Sequence, residues 1–159
     1  MVLYSIFTGG TSLPFFYESP RRADSVVVAR QMRERRFDSA LILGTGSRCR
    51  FGCPRVIVCA PLRKFLPFPT TFWLTCPWLT RLSGTIESEG GVAKLGSWIE
   101  SRAPGQWVPF NMFHQLLRMA LLSPSAARFF RRYRARLFER LRGGGAGGIQ
   151  YQEPHTGRV

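Results

Sequence analysis

Lysine is almost absent from this chain. Lys64 and Lys94 are the only two, so 21 of the 23 basic residues are arginine. Acids are also scarce, at nine Asp+Glu in 159 residues, which leaves a formal charge of +14. So few and scattered carboxylates nominate no general acid/base pair. Only two histidines are present, and no Ser-His-Asp or Cys-His arrangement is readable. No apolar run approaches the roughly 18 residues that a membrane-spanning helix needs. A secretory signal is missing too: no basic stretch precedes the early apolar residues, and Pro14, Glu18 and Pro20 interrupt them. A cytoplasmic location is expected, with thiols free or metal-bound rather than bridged.

What is present bounds the fold. A mass of 18.1 kDa fits one domain. An apolar fraction of 45% with 13% aromatics excludes a mostly disordered chain. Guanidinium is planar, permanently charged and able to grip phosphate with two parallel bonds. The arginine excess therefore reads either as a surface for phosphate groups or as the codon bias of a GC-rich genome.

Residues 1–22 show no clear period and are punctuated by Gly9-Gly10, Pro14 and Pro20, so they read as a loosely ordered arm whose aromatics could pack on the body. Asp24 offers an N-cap for a helix through about Arg36. Ala40–Leu43, Arg55–Ala60 and Thr70–Thr75 read as three strands, and their short links predict an antiparallel meander. Gly44-Thr45-Gly46-Ser47 lacks the phosphate-loop pattern and reads as a turn.

From Pro77 the pattern turns helical. Trp78, Leu79, Leu82 and Ile86 make one stripe and Val92, Leu95, Trp98 and Ile99 a second. A third helix covers Phe110–Leu122, with His114 as a core or boundary residue. A fourth runs to about Arg142, its apolar stripe being Phe130, Tyr133, Leu137 and Leu141. The expectation is an α+β domain over 23–142, a three-stranded antiparallel sheet with about five helices, followed by a Gly-rich flexible tail over 143–159.

That last helix concentrates the charge, with Arg131, Arg132, Arg134 and Arg136 as anion-binding candidates. It reads either as a cationic face for nucleic acid, anionic lipid or an acidic partner, or as an amphipathic helix with a solvated side. The cysteines, Cys49, Cys53, Cys59 and Cys76, are spaced Cys-x3-Cys-x5-Cys-x16-Cys, which is not a paired zinc signature. Arg48-Cys49-Arg50-Phe51-Gly52-Cys53-Pro54 puts a thiol, a Gly and a Pro into one turn entering a strand. Cys76 ends another strand just before Pro77 opens a helix, where the dipole favours thiolate and a nucleophilic role. In a meander Cys49 and Cys76 could converge, with Cys53 or Cys59 nearby. Four small buried hydrophobes is the other reading.

Two segments carry a resemblance. Arg48-Cys49 with Gly52 and Pro54, and then Pro67-Phe68-Pro69-Thr70 through Leu74-Thr75-Cys76-Pro77, resemble the bacterial family catalogued as domain of unknown function 501. The resemblance extends from about Asp24 to Gly148, including Ile86-Glu87-Ser88-Glu89-Gly90-Gly91-Val92. By its pattern Cys49 and Cys76 carry over. Family members continue from a Gly-rich stretch into Val-Lys-Cys-Leu-His, whereas this sequence ends at Val159, so the resemblance implies truncation before a third Cys and a His. Such a set would make a Cys3His site for zinc. The expectations are a Cys/His metal-site domain that also takes a phosphate-bearing ligand near Arg48, or an arginine-rich module for nucleic acid or an acidic partner. The family resemblance implies no reaction.

Overall fold

The computed structural model describes residues 2–8, 11–33 and 37–142. Its centre is a three-stranded antiparallel sheet of β3 (Ile42–Arg48), β4 (Pro54–Cys59) and β7 (Phe72–Leu74), in that spatial order. The order follows the chain, so the expected meander is present. Between β4 and β7 a small hairpin, β5 (Leu62–Arg63) with β6 (Leu66–Pro67), fills the proline-marked connection.

The strands differ from the sequence reading at one end. Gly44-Thr45-Gly46-Ser47 lies inside β3 and is not a turn. Gly44 is needed because a side chain there would collide with the Tyr17 ring and the Glu18 carbonyl. Tyr17 ends a second hairpin, β1 (Val2–Thr8) with β2 (Thr11–Tyr17), in the segment read above as a loosely ordered arm. Glu18 then bridges to Thr45 through two backbone bonds of 2.9 Å, which ties this hairpin to the edge of the sheet.

Helix α1 (Asp24–Gln31) lays Val28 and Met32 on β4, against Ile57 and Cys59. Asp24 is not its N-cap. Ala23 holds that position, and Asp24 is the first helical residue, 3% exposed. Its carboxylate accepts two bonds from the Arg48 guanidinium (2.7 and 2.8 Å), one from the Thr45 hydroxyl (3.2 Å) and one from the Arg21 amide (2.8 Å).

The helical half comprises α2 (Pro77–Ser88), α3 (Gly91–Arg102), α4 (Pro104–Ala120), α5 (Pro124–Tyr133) and α6 (Ala135–Arg142). The single last helix of the sequence reading is broken at Arg134, whose non-helical backbone (φ −142°, ψ 53°) separates α5 from α6. The break lets both helices fold onto one core of Leu122, Phe130 and Leu141. Helices α2 and α3 bury no residue, and their stripes lie open, with Trp78 68% and Trp98 55% exposed. Among the described residues no helix is long and apolar enough to cross a membrane. The tail over 143–159 lies outside the described residues.

The Asp24–Arg48 pair generates a stability prediction. Asp24→Asn leaves the guanidinium without its buried counter-charge and should cost about 3–5 kcal/mol. The Arg48 guanidinium holds the Asp24 carboxyl below its usual value. As pH falls, the unfolded chain therefore protonates this group first, and stability drops from about pH 5 downward. Denaturant titrations between pH 7 and pH 3 should show this loss in the native chain and a flatter profile in Asp24→Asn.

Candidate functional site

Three arginines wall a cavity of about 420 Å³ where the end of α1 meets the start of α2. Arg30 comes from the last turn of α1, Arg33 from the residues just after it, and Arg81 from the second turn of α2. Thr75, Pro77 and Thr80 complete the α2 side. All three arginines are exposed, and none is paired with an acid among the described residues. Position follows from local structure. The Gln31 side-chain amide donates to Pro54 O (3.0 Å), which pins the end of α1 beside the start of β4. On the other side, Thr75 and Cys76 donate their amides to Arg55 O, which fixes the entry to α2.

The helix start adds to the field. Cys76 is the N-cap of α2 but makes no side-chain cap, and Pro77 has no N–H. The amides of Trp78 and Leu79 thus have no intrahelical acceptor, and the positive end of the dipole forms one wall of the cavity. Three guanidinium groups can hold a doubly charged oxyanion by parallel hydrogen bonds, and the helix dipole adds to the attraction.

Arg48, the sequence candidate for anion binding, is engaged elsewhere. Its Nε donates to Glu18 (2.6 Å), one terminal nitrogen to Asp24 and Gly52 O, and the other to Asp24 and the Thr45 hydroxyl. These five bonds use all five donors of a guanidinium, so none remains for an external anion. Arg131, Arg132, Arg134 and Arg136 are all exposed on α5, α6 and the break between them. Tyr133 does not join the apolar stripe. It is 64% exposed, lies 5.4 Å from the ring of Phe129 (45% exposed), and carries the Arg132 guanidinium at 5.7 Å. The break at Arg134 turns it outward.

The cysteines divide. Cys59 is fully buried among apolar neighbours, and desolvation pushes its thiol up to about 12. Cys49 and Cys53 close the β3–β4 turn, where the Cys49 amide donates to Cys53 O at 2.9 Å. Hydrogen bonds from the Phe51 amide first, and then from the Cys53 amide and thiol, hold the Cys49 thiol below its usual value. Cys76 lies at the far side of β4, beyond Pro54 and Arg55. Two strand spacings are roughly 10 Å, whereas thiolates sharing one tetrahedral ion stand about 3.5–4 Å apart. The structure thus brings Cys49 to Cys53 and leaves Cys76 across the sheet. Among the described residues no three His, Cys, Asp or Glu side chains are grouped to hold a metal ion.

His114 is half-buried between the rings of Phe110 (4.8 Å) and Phe72 (5.6 Å), and burial followed by the charge of Arg118 lowers its pKa. Arg118 itself escaped the sequence reading. It is 2% exposed and donates to Phe68 O, Pro69 O, the Thr71 hydroxyl and Leu141 O at 2.8–3.2 Å. Its i, i+4 spacing from His114 on an apolar helix was the one available signal.

A family model described as a protein of unknown function (DUF501) matches residues 45–158. The chain belongs to this family. No curated protein and no solved structure matches it. The matched span runs from the middle of β3 through α6, and so contains Cys49, Cys53, Arg81 and Arg118 but not Arg30 or Arg33.

Arg118 bonds the Pro-Phe-Pro-Thr segment that leads into β7 and α2, and so supports the α2 wall of the cavity from behind. Arg118→Lys keeps the charge but offers a compact ammonium that cannot span acceptors on two sides. It should lower stability by about 3 kcal/mol, since each buried carbonyl left unpaired costs about 1–3 kcal/mol. Chemical denaturation with the two proteins side by side measures it.

Proposed function

We propose that this protein binds a phosphate-bearing ligand in the cavity between α1 and α2. The observation that carries the reading is the convergence of Arg30, Arg33 and Arg81 on one cavity without a neutralising acid among the described residues. The other described acids near the sheet are already spent: Glu18 and Asp24 on Arg48, and Asp38 on Arg63. The positive end of the α2 dipole, where Pro77 lines the cavity, favours an anion at the same place. A zinc site built on Cys49 and Cys76 draws less support from the geometry, because β4 runs between them.

Pyrophosphate is the direct probe. Calorimetric titration at low salt should give saturable binding with one site per chain. Each of Arg33→Gln and Arg81→Gln should weaken it by roughly tenfold, the worth of a charge-assisted hydrogen bond. Binding that persists unchanged in the variant lacking all three arginines would sink the reading.

A second reading has its own observation. Phe129 and Tyr133 present adjacent exposed rings among Arg128, Arg131, Arg132, Arg134 and Arg136, the combination that single-stranded nucleic acid uses. Under this reading a mixed-sequence single-stranded oligonucleotide binds with steep salt dependence. Phe129→Ala and Tyr133→Ala would each cost about 1–3 kcal/mol of affinity, and the cavity variants would leave it intact. Salt-insensitive binding, or no loss on removing the rings, would exclude it.

A further inference from the structure

The tip of the β3–β4 hairpin is built differently from the other turns. Gly52 donates its amide to Cys49 O (2.9 Å) and sits at φ +77°, a left-handed conformation suited to glycine. A tight turn followed by such a glycine closes a three-residue hairpin loop. The closing pair is Cys49 and Cys53. Opposed residues in an antiparallel pair stand about 5.5 Å apart at Cα with side chains on one face. A disulfide needs a Cα separation of about 4.4–6.8 Å, so this pair can be bridged without moving the strands.

Access and polarity are also in place. Both residues are half-buried and free as thiols. Phe51, between them, is 76% exposed with the Arg50 guanidinium 4.7 Å from its ring centre, so the tip projects into solvent. The Cys49 thiol is held below its usual value, by hydrogen bonding with Phe51 first and with Cys53 next. Donors aimed at a sulfur stabilise negative charge on it. One thiol is thus prepared to attack and the other is placed to follow. Cys59 is fully buried and Cys76 lies beyond β4, so neither competes for this pairing.

We propose that Cys49 and Cys53 form a redox-active dithiol that reduces small-molecule disulfides. The Cys49 thiolate attacks one sulfur of the substrate disulfide. A mixed disulfide forms, the substrate S–S bond breaks, and one substrate thiolate leaves. Cys53 gives up its proton to solvent and attacks the Cys49 sulfur. The second substrate thiolate leaves, and a Cys49–Cys53 disulfide remains. Two electrons pass from the dithiol to the substrate, and the two protons released by the protein balance the two thiolates formed. This proposal is independent of the arginine cavity, and either can fail alone.

The experiment uses the full reduced chain with oxidised glutathione as the probe. Samples are quenched with an alkylating reagent and mapped by mass spectrometry. The expected product is a Cys49–Cys53 bridge with two glutathione thiols released, while Cys59 and Cys76 remain alkylated. In Cys53→Ser the reaction should stop at a mixed disulfide on Cys49. That adduct should form on the order of tenfold faster than any adduct on Cys53 in Cys49→Ser. Circular dichroism checks that both variants keep the fold. Equal adduct rates in the two variants, or a first bridge that involves Cys59 or Cys76, would overturn the proposal.

Discussion

One guanidinium joins four separate segments of this chain. Arg48 ends β3 and reaches Asp24 at the start of α1, Glu18 on the bridge to the first hairpin, and Gly52 in the β3–β4 turn. Removing a charged pair from water costs several kcal/mol per ion, and only excellent geometry with every donor satisfied offsets it. Both conditions hold here, since five acceptors meet five donors. The consequence extends past the pair. Asp24 fixes where α1 begins, and therefore where Arg30, six residues on, and Arg33, just past the helix end, emerge. Gly52 fixes the turn that opposes Cys49 to Cys53. The cavity and the thiol pair thus share one anchor.

Arg118 solves the same problem with the opposite partners. Asp24 and Glu18 neutralise Arg48, whereas Arg118 is held by carbonyl and hydroxyl oxygens without a carboxylate. Burial without a counter-charge pulls its pKa down, yet a guanidinium stays charged over any ordinary pH range. Its planar fork explains the choice of side chain. Acceptors on Phe68, Pro69 and Thr71 lie to one side and Leu141 to the other, and only a rigid, multi-donor group reaches both. The Pro-Phe-Pro-Thr block supplies free carbonyls because proline and the irregular backbone around it leave them outside any ladder.

Period and punctuation made the elements legible. Alternation and β-branching marked β4, Pro77 marked the start of α2, and Ser123-Pro124 marked the start of α5, where the Ser123 hydroxyl caps the Ala126 amide. Long-range partnership was not legible. Asp24 looked like a helix cap because Asp favours that position, but the tertiary pull of Arg48 moved it one residue inward. Gly44 and Gly46 looked like a turn because glycine weakens strands, but close approach of Tyr17 requires the missing side chain at 44. Arg30, Arg33 and Arg81 are ordinary residues in or just after two amphipathic helices until Pro54 O and Arg55 O bring the end of α1 and the start of α2 to the same end of β4. The neighbour of Cys49 was not legible for a related reason. A meander brings strand ends together for adjacent strands, and Cys49 follows β3 while Cys76 follows β7, with β4 between.

The charge of +14 is less informative than its distribution. Two arginines, Arg48 and Arg118, are spent on structure, and Arg21 and Arg63 lie against Glu18 and Asp38. The α2–α3 hairpin carries Glu87, Glu89 and Glu100 against Arg81, Lys94 and Arg102, which makes it close to neutral where its tryptophans are exposed. Among the described residues, positive charge without an acid partner is found at the cavity (Arg30, Arg33 and Arg81), along α5 and α6, and at Arg22, Arg50, Arg55 and Lys64. Under either proposed reading a polyanion would be steered by this local field and not by the sum of charges. Arg81 belongs to both descriptions. It balances the acids of the hairpin from a distance, yet sits on the first turns of α2 beside Arg30 and Arg33, where no carboxylate among the described residues pairs with it.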